Sequence, residues 1–297
     1  MIVDVHTHLP THQEAVPNNE IVTEEMMRSG DPIKLTNSVE DYMSDMEVVD
    51  KSILFGIAPR PKTKRDLGEL FGAGKDWGES LNQNDVASII AKKYPEKIIP
   101  FMSLHPDAED WNEEYDRCLG DLGIKGIKLG PNYQDFDPNS PSAYDLFSRL
   151  QEDNIPVIFH QGTSPMPDAP LIYTHPLTTD KIAMAFPDLK IVLAHLGHPW
   201  QTDCLSVVRK HKNVWADISA QFYRPYSFWQ GMRLFYEWGC TQKILFASDW
   251  PVTNPKDSIF NLRNLSKFSK DYNLPEIPEN EIEGIINRDA LEILGID

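Results

Sequence analysis

Two histidines one residue apart, His6 and His8, close the short apolar run Met1-Ile2-Val3-Asp4-Val5. Strand side chains alternate between faces, so both imidazoles point the same way. Buried imidazoles need partners, and a metal ion is an effective one. The pattern recurs along the chain. His160 ends Ile155-Pro156-Val157-Ile158-Phe159, His195 ends Ile191-Val192-Leu193-Ala194, and Asp249 follows Leu245-Phe246-Ala247-Ser248. His6, His8, His160 and Asp249 together make a donor set for one divalent ion, with a position open for water or substrate. Zn²⁺ suits three imidazoles and a carboxylate best, and Mn²⁺, Fe²⁺ and Co²⁺ are alternatives. The competing account makes these core histidines bonded to backbone, with Asp249 capping a turn.

The same strand ends offer groups for a substrate. His195 is placed as an acid/base or as the group that polarises a substrate oxygen. His198, on the loop after it, is expected to support its neighbours. Lys128, in Gly126-Ile127-Lys128-Leu129, has three readings: a cation for a substrate anion, a carbamylated bridge between two metals, or a lysine held by salt bridges in the barrel mouth. Arg60 and Arg224 could each grip a carboxylate through a planar fork, or simply be solvated. Trp200, Trp250, Phe222 and Tyr223 could wall a pocket around a ring, or pack in the core.

These residues need a scaffold that brings strand ends together. Eight short apolar runs recur: 2–6, 51–57, 98–103, 124–129, 157–160, 191–195, 214–219 and 244–248. They are continuous and do not alternate cleanly, as strands covered on both faces should be. Helix-compatible stretches separate them, with Ser38, Asp107 and Asn254 as cap or near-cap residues. Eight strand-then-helix units predict a (β/α)8 barrel, whose active site lies at the C-terminal strand ends. One domain over 1–297 is expected, with a helix at about 280–294 outside the barrel count. An open doubly wound sheet is the alternative, but Leu9-Pro10-Thr11-His12 follows strand one where a glycine-rich turn would stand.

Composition narrows the class. The 297 residues carry 28 basic and 45 acidic side chains, a formal net charge of −17. That charge argues against nucleic acid and anionic membranes as partners. No apolar stretch approaches the roughly 20 residues needed to span a bilayer, and the opening run is too short for a signal peptide. Cys118, Cys204 and Cys240 are scattered and odd in number, which reads as reduced thiols of a cytoplasmic protein. Gly72-Ala73-Gly74-Lys75 lacks the rest of a phosphate-binding loop, and Asp76 stands where a hydroxyl is needed. The segment 59–82 reads as a long insert over the barrel mouth. No GxSxG elbow or HExxH appears.

With these motifs in place, the chain resembles the amidohydrolase superfamily. It is most similar to the branch holding aminocarboxymuconate-semialdehyde decarboxylase, the resorcylate-type decarboxylases and the pyrone-dicarboxylate lactonases. Val3-Asp4-Val5-His6-Thr7-His8, Gly126-Ile127-Lys128-Leu129, Pro156-Val157-Ile158-Phe159-His160, Ala194-His195-Leu196-Gly197 and Phe246-Ala247-Ser248-Asp249-Trp250-Pro251 carry the resemblance. It implies a distorted (β/α)8 barrel with His6, His8, His160 and Asp249 on one metal ion, commonly zinc, and His195 acting on substrate. Lys128 matches the carbamylated lysine of binuclear relatives, although its context looks like the mononuclear branch. The family's histidine and proline after that lysine are replaced here by Gly130-Pro131-Asn132. A homodimer is suggested by the resemblance alone.

The leading expectation is a metal-dependent hydrolase of a small, carboxylated lactone, ester or amide. Metal-activated water would attack the carbonyl carbon, Asp249 would take its proton, and His195 would steady the oxyanion. Arg60, Lys128, Trp200 and Trp250 are the expected substrate contacts. The alternative is a nonoxidative decarboxylase of an aromatic or muconate-type acid on the same donors, and a noncatalytic binding barrel comes third.

Overall fold

The computed structural model describes residues 1–10, 33–35, 37–60 and 81–296. The strands are β1 (Val3–His8), β2 (Lys51–Phe55), β3 (Ile98–Met102), β4 (Gly126–Leu129), β5 (Val157–Phe159), β6 (Ile191–Leu193), β7 (Val214–Asp217) and β8 (Ile244–Leu245). They form one eight-stranded parallel sheet in sequence order. A helix follows each strand, as a parallel sheet requires for its crossovers. The architecture is a distorted (β/α)8 barrel. The insert 61–80 lies outside the described residues, and with it Trp77 and the glycine-rich Gly72-Ala73-Gly74-Lys75.

The distortion sits at the seam between β8 and β1, which share no continuous ladder. Closure comes from the segment past β8. Val5 N–H donates to Phe246 O, His8 N–H to Trp250 O and Asp249 N–H to His6 O, at 3.1, 2.9 and 2.9 Å. The Asp4 carboxylate accepts from the amides of His6 and Ser248, which also crosses the seam.

Inside the barrel, Val3, Val5, Ile53, Phe55, Ile99, Phe101, Ile158, Val192, Leu245 and Ala247 form one apolar cluster. Ala290, Leu291 and Leu294 join it from the short helix Ala290–Leu294, which packs on β1. A second, larger cluster lies between strands and helices. Fully burying one Leu or Phe side chain is worth about 1.5–3 kcal/mol, so these two layers set the framework.

Local signals start the helices. Ser38 and Asn82 are N-caps with capping boxes closed by Asp41 and Asp85. Ser140 and Asn254 cap Pro141–Glu152 and Pro255–Arg263, and proline occupies the first turn of both. Asp107 departs from the expectation. The helix begins at Trp111, because the His105 ring accepts the Asp107 amide and holds a turn there. The stretch expected as one helix at 280–294 forms two, Glu279–Ile286 and Ala290–Leu294, with Asp289 capping the second. Cys118, Cys204 and Cys240 are buried free thiols. Among the described residues no helix is long and apolar enough to cross a membrane.

Candidate active site

The register of β1 against β2 shifts between Asp4 and Thr7. This irregularity lets Val5 join the inner cluster while the next residue, His6, also turns inward. The His6 and His8 rings each meet the Phe55 ring edge-on at 5.1 Å. Thr7 points the other way and pairs with the Tyr42 hydroxyl and Ile53 O.

Three of the expected strand-end residues lie just beyond their strands. β5 stops at Phe159, β6 at Leu193 and β8 at Leu245. His160, His195 and Asp249 therefore sit on the connections, where the backbone can turn them toward the axis. His195 and Asp249 do so with φ of 60° and 68°. A left-handed backbone at a residue other than glycine costs on the order of 1–3 kcal/mol and persists only where its surroundings enforce it. The enforcing bonds are specific: His195 N–H donates to Asp217 Oδ1 at 3.0 Å, and Asp249 N–H to His6 O.

His6, His195 and Asp249 form one buried cluster of donors for a single divalent ion, with one atom from each within 4.8 Å of the others. His6 Nδ1–H donates to Asp217 Oδ2 at 2.9 Å. That bond fixes the ring and turns Nε2 toward Asp249 Oδ1 at 3.0 Å and Lys128 Nζ at 2.9 Å. The other two expected ligands stand one contact further out. His8 Nε2 is 3.2 Å from Asp249 Oδ1, and His160 Nδ1 is 3.1 Å from His195 Nε2. His195 thus lies within the donor cluster itself.

The residues fit a metal ion. His160 Nε2 is buried and without a hydrogen-bond partner, a costly state that a cation would relieve. The mixed imidazole and carboxylate set suits Zn²⁺ or Mn²⁺, and the Asp217–His6 pair is the usual carboxylate support for a metal-binding imidazole.

Electrostatics follow from burial and proximity. Burial opposes charge on His8 and His195 and lowers each to about 4. Burial lowers His160 well below the usual histidine range, and His195 and Lys128 add to it. On His6, burial and Lys128 oppose protonation, but Asp217 and Asp249 outweigh them and raise it. Burial would raise Asp249 and Asp217, yet the imidazoles around them hold both below the usual carboxylate range. Burial brings Lys128 down to about 8, against the pull of Asp217 and Asp249. Its Nζ also lies 4.9 Å from the Phe55 ring centroid.

A cavity of about 250 Å³ opens onto these donors. His160, His195 and Asp249 form its floor, and Tyr133, Gln161, Ser164, His198, Gln221, Tyr223 and Arg224 are among its walls. A second space of about 30 Å³ lies deeper, against His8, Lys128, His160 and Asp249.

Other expected substrate contacts lie elsewhere. Trp250 is fully buried, packs edge-on against Tyr42 and donates its indole N–H to Asp45 Oδ2 at 2.8 Å. Trp200 stacks with His175, 4.8 Å between centroids, outside the described cavity walls. Arg60 is buried and donates to the carbonyls of Tyr133, Asn132 and Asp168, which ties the connections after β4 and β5 together. Its Nε and Nη2 go to backbone and its Nη1 lies 4.0 Å from Asp135 Oδ2, whereas Arg224 lines the cavity.

Sequence reasoning passed over Asp217, Ser219 and Tyr133. Asp217 ends β7 as the histidines end their own runs, so Val214-Trp215-Ala216-Asp217 held the same signal. Ser219 pairs its hydroxyl with Asp217 Oδ1 and with His195 Nδ1, the latter at 2.8 Å. Tyr133 stands in a one-turn helix after β4 with its ring 4.7 Å from His160, and no spacing pattern marks it.

The chain matches one protein family and several known proteins. Residues 3–296 match the family described as amidohydrolase. Gamma-resorcylate decarboxylase from a Rhizobium species is 24% identical over 223 residues, 58% of this chain and 65% of that protein. The match thus spans just under two thirds of that relative's length. The 2-amino-3-carboxymuconate-6-semialdehyde decarboxylase of Dictyostelium discoideum is 22% identical over 267 residues, 82% of this chain and 71% of that protein. The crystal structure of a 5-carboxyvanillate decarboxylase from Novosphingobium aromaticivorans, with bound manganese, superposes with a TM-score of 0.65 at 17% identity, covering 100% of this chain and 97% of the other.

Proposed function

The chain belongs to the amidohydrolase family, in its decarboxylase and lactonase branch, and from that premise we propose that it is a metal-dependent carboxy-lyase. It removes carbon dioxide without oxidation from a small aromatic or muconate-type acid. The observation that carries this reading is chemical agreement among relatives: those matched by sequence are decarboxylases of such acids. This ranks decarboxylation above the hydrolysis that strand-end residues alone suggested.

His6, His8, His160 and Asp249 would hold the ion, with His195 beside it. Manganese in the 5-carboxyvanillate decarboxylase sets Mn²⁺ next to Zn²⁺ as the candidate ion here. Once bound, the ion supplies positive charge that orients an anionic substrate and steadies the charge that builds up on it.

The chain's own residues do the rest. Tyr133, Gln161 and Tyr223 confine a ring in the cavity. His195 is held at Nδ1 by the Ser219 hydroxyl and meets His160 Nδ1 at Nε2, so Nε2 would face the substrate once His160 turns to the ion. After taking up a proton from solvent at Nε2, it would deliver that proton to the carbon that bears the carboxylate. The carbon–carbon bond then breaks, its electron pair returns to the ring, and carbon dioxide leaves. One proton is consumed per turnover, and solvent restores it. Lys128, buried beside His6, adds a fixed cation under the site.

The test is product analysis. The purified protein is loaded with Mn²⁺ or Zn²⁺ and given 2,6-dihydroxybenzoate, 5-carboxyvanillate and a panel of lactones. Headspace carbon dioxide with a decarboxylated product is the expected result. Ring opening of a lactone to a new carboxylate, with no gas from any acid, would replace this reading with hydrolysis.

A further inference from the structure

His198 lies in the cavity wall, on the connection that begins with His195. Its backbone is fixed on both sides. His198 N–H donates to His195 O at 2.9 Å, and His198 O accepts from Thr163 N–H at 2.7 Å. Its ring is fixed through Nδ1. The Gln201 side-chain amide donates to that nitrogen at 3.0 Å. The same amide donates to Ser227 Oγ, also at 3.0 Å. The Ser227 oxygen is thus an acceptor for Gln201, and its own proton is free to point at His198 Nδ1, 3.2 Å away.

Two donors on one ring nitrogen decide where the proton sits. A neutral imidazole has one N–H and one acceptor nitrogen, and the bond made at one nitrogen sets the state of the other. Nδ1 is the acceptor, so Nε2 carries the hydrogen. A second proton, on Nδ1, would confront both donors, which disfavours the imidazolium. Nε2–H has no hydrogen-bond partner among the described residues and keeps accessible surface. Gln201 and Ser227 stand behind the ring, outside the cavity lining. The free edge of the ring is therefore the one that meets the cavity, whose floor is His160, His195 and Asp249.

We propose that His198 is a substrate-contacting residue that presents a fixed Nε2–H to an acceptor oxygen of the substrate, and that Gln201 is a positioning residue that locks this tautomer. The proposal rests on the small-acid reading given above, and not on whether carbon dioxide leaves. His198 transfers no proton, which separates its role from that of His195. An N–H held in one place accepts a carboxylate, phenolate or carbonyl oxygen and offers nothing to an ammonium group.

Nitrogen NMR of Zn²⁺-loaded protein, isotope-labelled at histidine, reads the tautomer directly. The His198 signals are identified by their loss in His198→Phe. The parent should show a bare Nδ1 and a protonated Nε2, and the Nε2–H signal should shift when 2,6-dihydroxybenzoate is added. Gln201→Glu places an acceptor at Nδ1 and should put a proton there, whereas a Gln201 that only fills space would leave the pattern unchanged. By calorimetry, His198→Phe should bind 2,6-dihydroxybenzoate about 10-fold more weakly, a difference of about 1.4 kcal/mol, with bound zinc unchanged. His198→Gln, which returns a donor near the same place, should recover most of that loss. A parent ring protonated at Nδ1, an Nε2–H signal unmoved by the acid, or equal affinity in His198→Phe overturns the proposal. Headspace gas from the same samples keeps the two readings apart. The expected tautomer and affinities without carbon dioxide keep this donor and remove decarboxylation. Carbon dioxide from a protein whose ring is protonated at Nδ1 does the reverse.

Discussion

His195 reaches the site through a left-handed backbone, a serine hydroxyl on one ring nitrogen and a neighbouring imidazole on the other. It lies among the donors, yet four other groups can complete a shell around one ion. His195→Asn should therefore retain the metal and lower turnover by roughly 10²–10⁴-fold, the worth of a positioned acid/base group. Elemental analysis beside kinetics checks this, and loss of metal in step with activity would make His195 a ligand. Asp217 acts one step back. Its carboxylate fixes the His6 ring and also accepts the His195 and Ser219 amides. Asp217→Asn keeps the volume but can donate to His6 Nδ1 and favour the wrong tautomer. Metal affinity should fall by roughly 10–100-fold, measured by competition with a chromophoric chelator. Unchanged affinity would remove the orienting role.

At the level of elements, strand-end chemistry was legible because it rides on hydrophobic runs that are themselves legible. His6, His8, His160, His195 and Asp249 each close an apolar stretch, so one pattern locates both the strand and its functional terminus. The β1 irregularity was not legible, since strict alternation would turn Val5 outward, and only the packing around Phe55 selects the bulged arrangement. Arg60 and Trp250 were ambiguous for a similar reason. A planar cation and an indole serve a pocket or a loop equally well until the surrounding carbonyls and Asp45 are placed. The connection after β5 has its own requirement. Gly162 has φ of 112°, and a Cβ there would come within 2.3 Å of His198 O. Thr163 N–H also donates to that carbonyl at 2.7 Å. Gly162→Ala should cost about 1–3 kcal/mol through overpacking and reduce turnover, because it pushes apart the loops carrying His160 and His198. Thermal unfolding and kinetics on the same sample check it, and a variant matching the parent in both would show that the loops yield freely.

Across the whole molecule, the site draws on β1, β5, β6, β7 and β8, so an ion bound there ties together opposite sides of the barrel. Ligand binding to the folded state alone stabilises by about 2.7 kcal/mol when free ligand is 100 times its dissociation constant. Stripping the protein with a chelator should lower its melting temperature, and Mn²⁺ or Zn²⁺ should restore it where Ca²⁺ does not. Equal melting curves with and without these ions would argue that the donors bind no metal of consequence. The order of the eight strands could be read from their regular spacing, but the open seam could not, because it depends on how few residues of β8 are left to pair.

The seam also has a temporal side. His8 and Asp249 meet across 241 residues of sequence, and the backbone bonds that close the barrel are made by those same two stretches. During synthesis the chain must extend past Asp249 before His6 and His8 can find their carboxylate partner. Contacts of such long sequence separation form late, since the intervening chain must first be ordered. A nascent or C-terminally truncated polypeptide therefore holds separate histidines with no assembled chelate. The complete donor set, with Asp249 against His6 and His8, exists only once the eighth strand and the segment after it are in place.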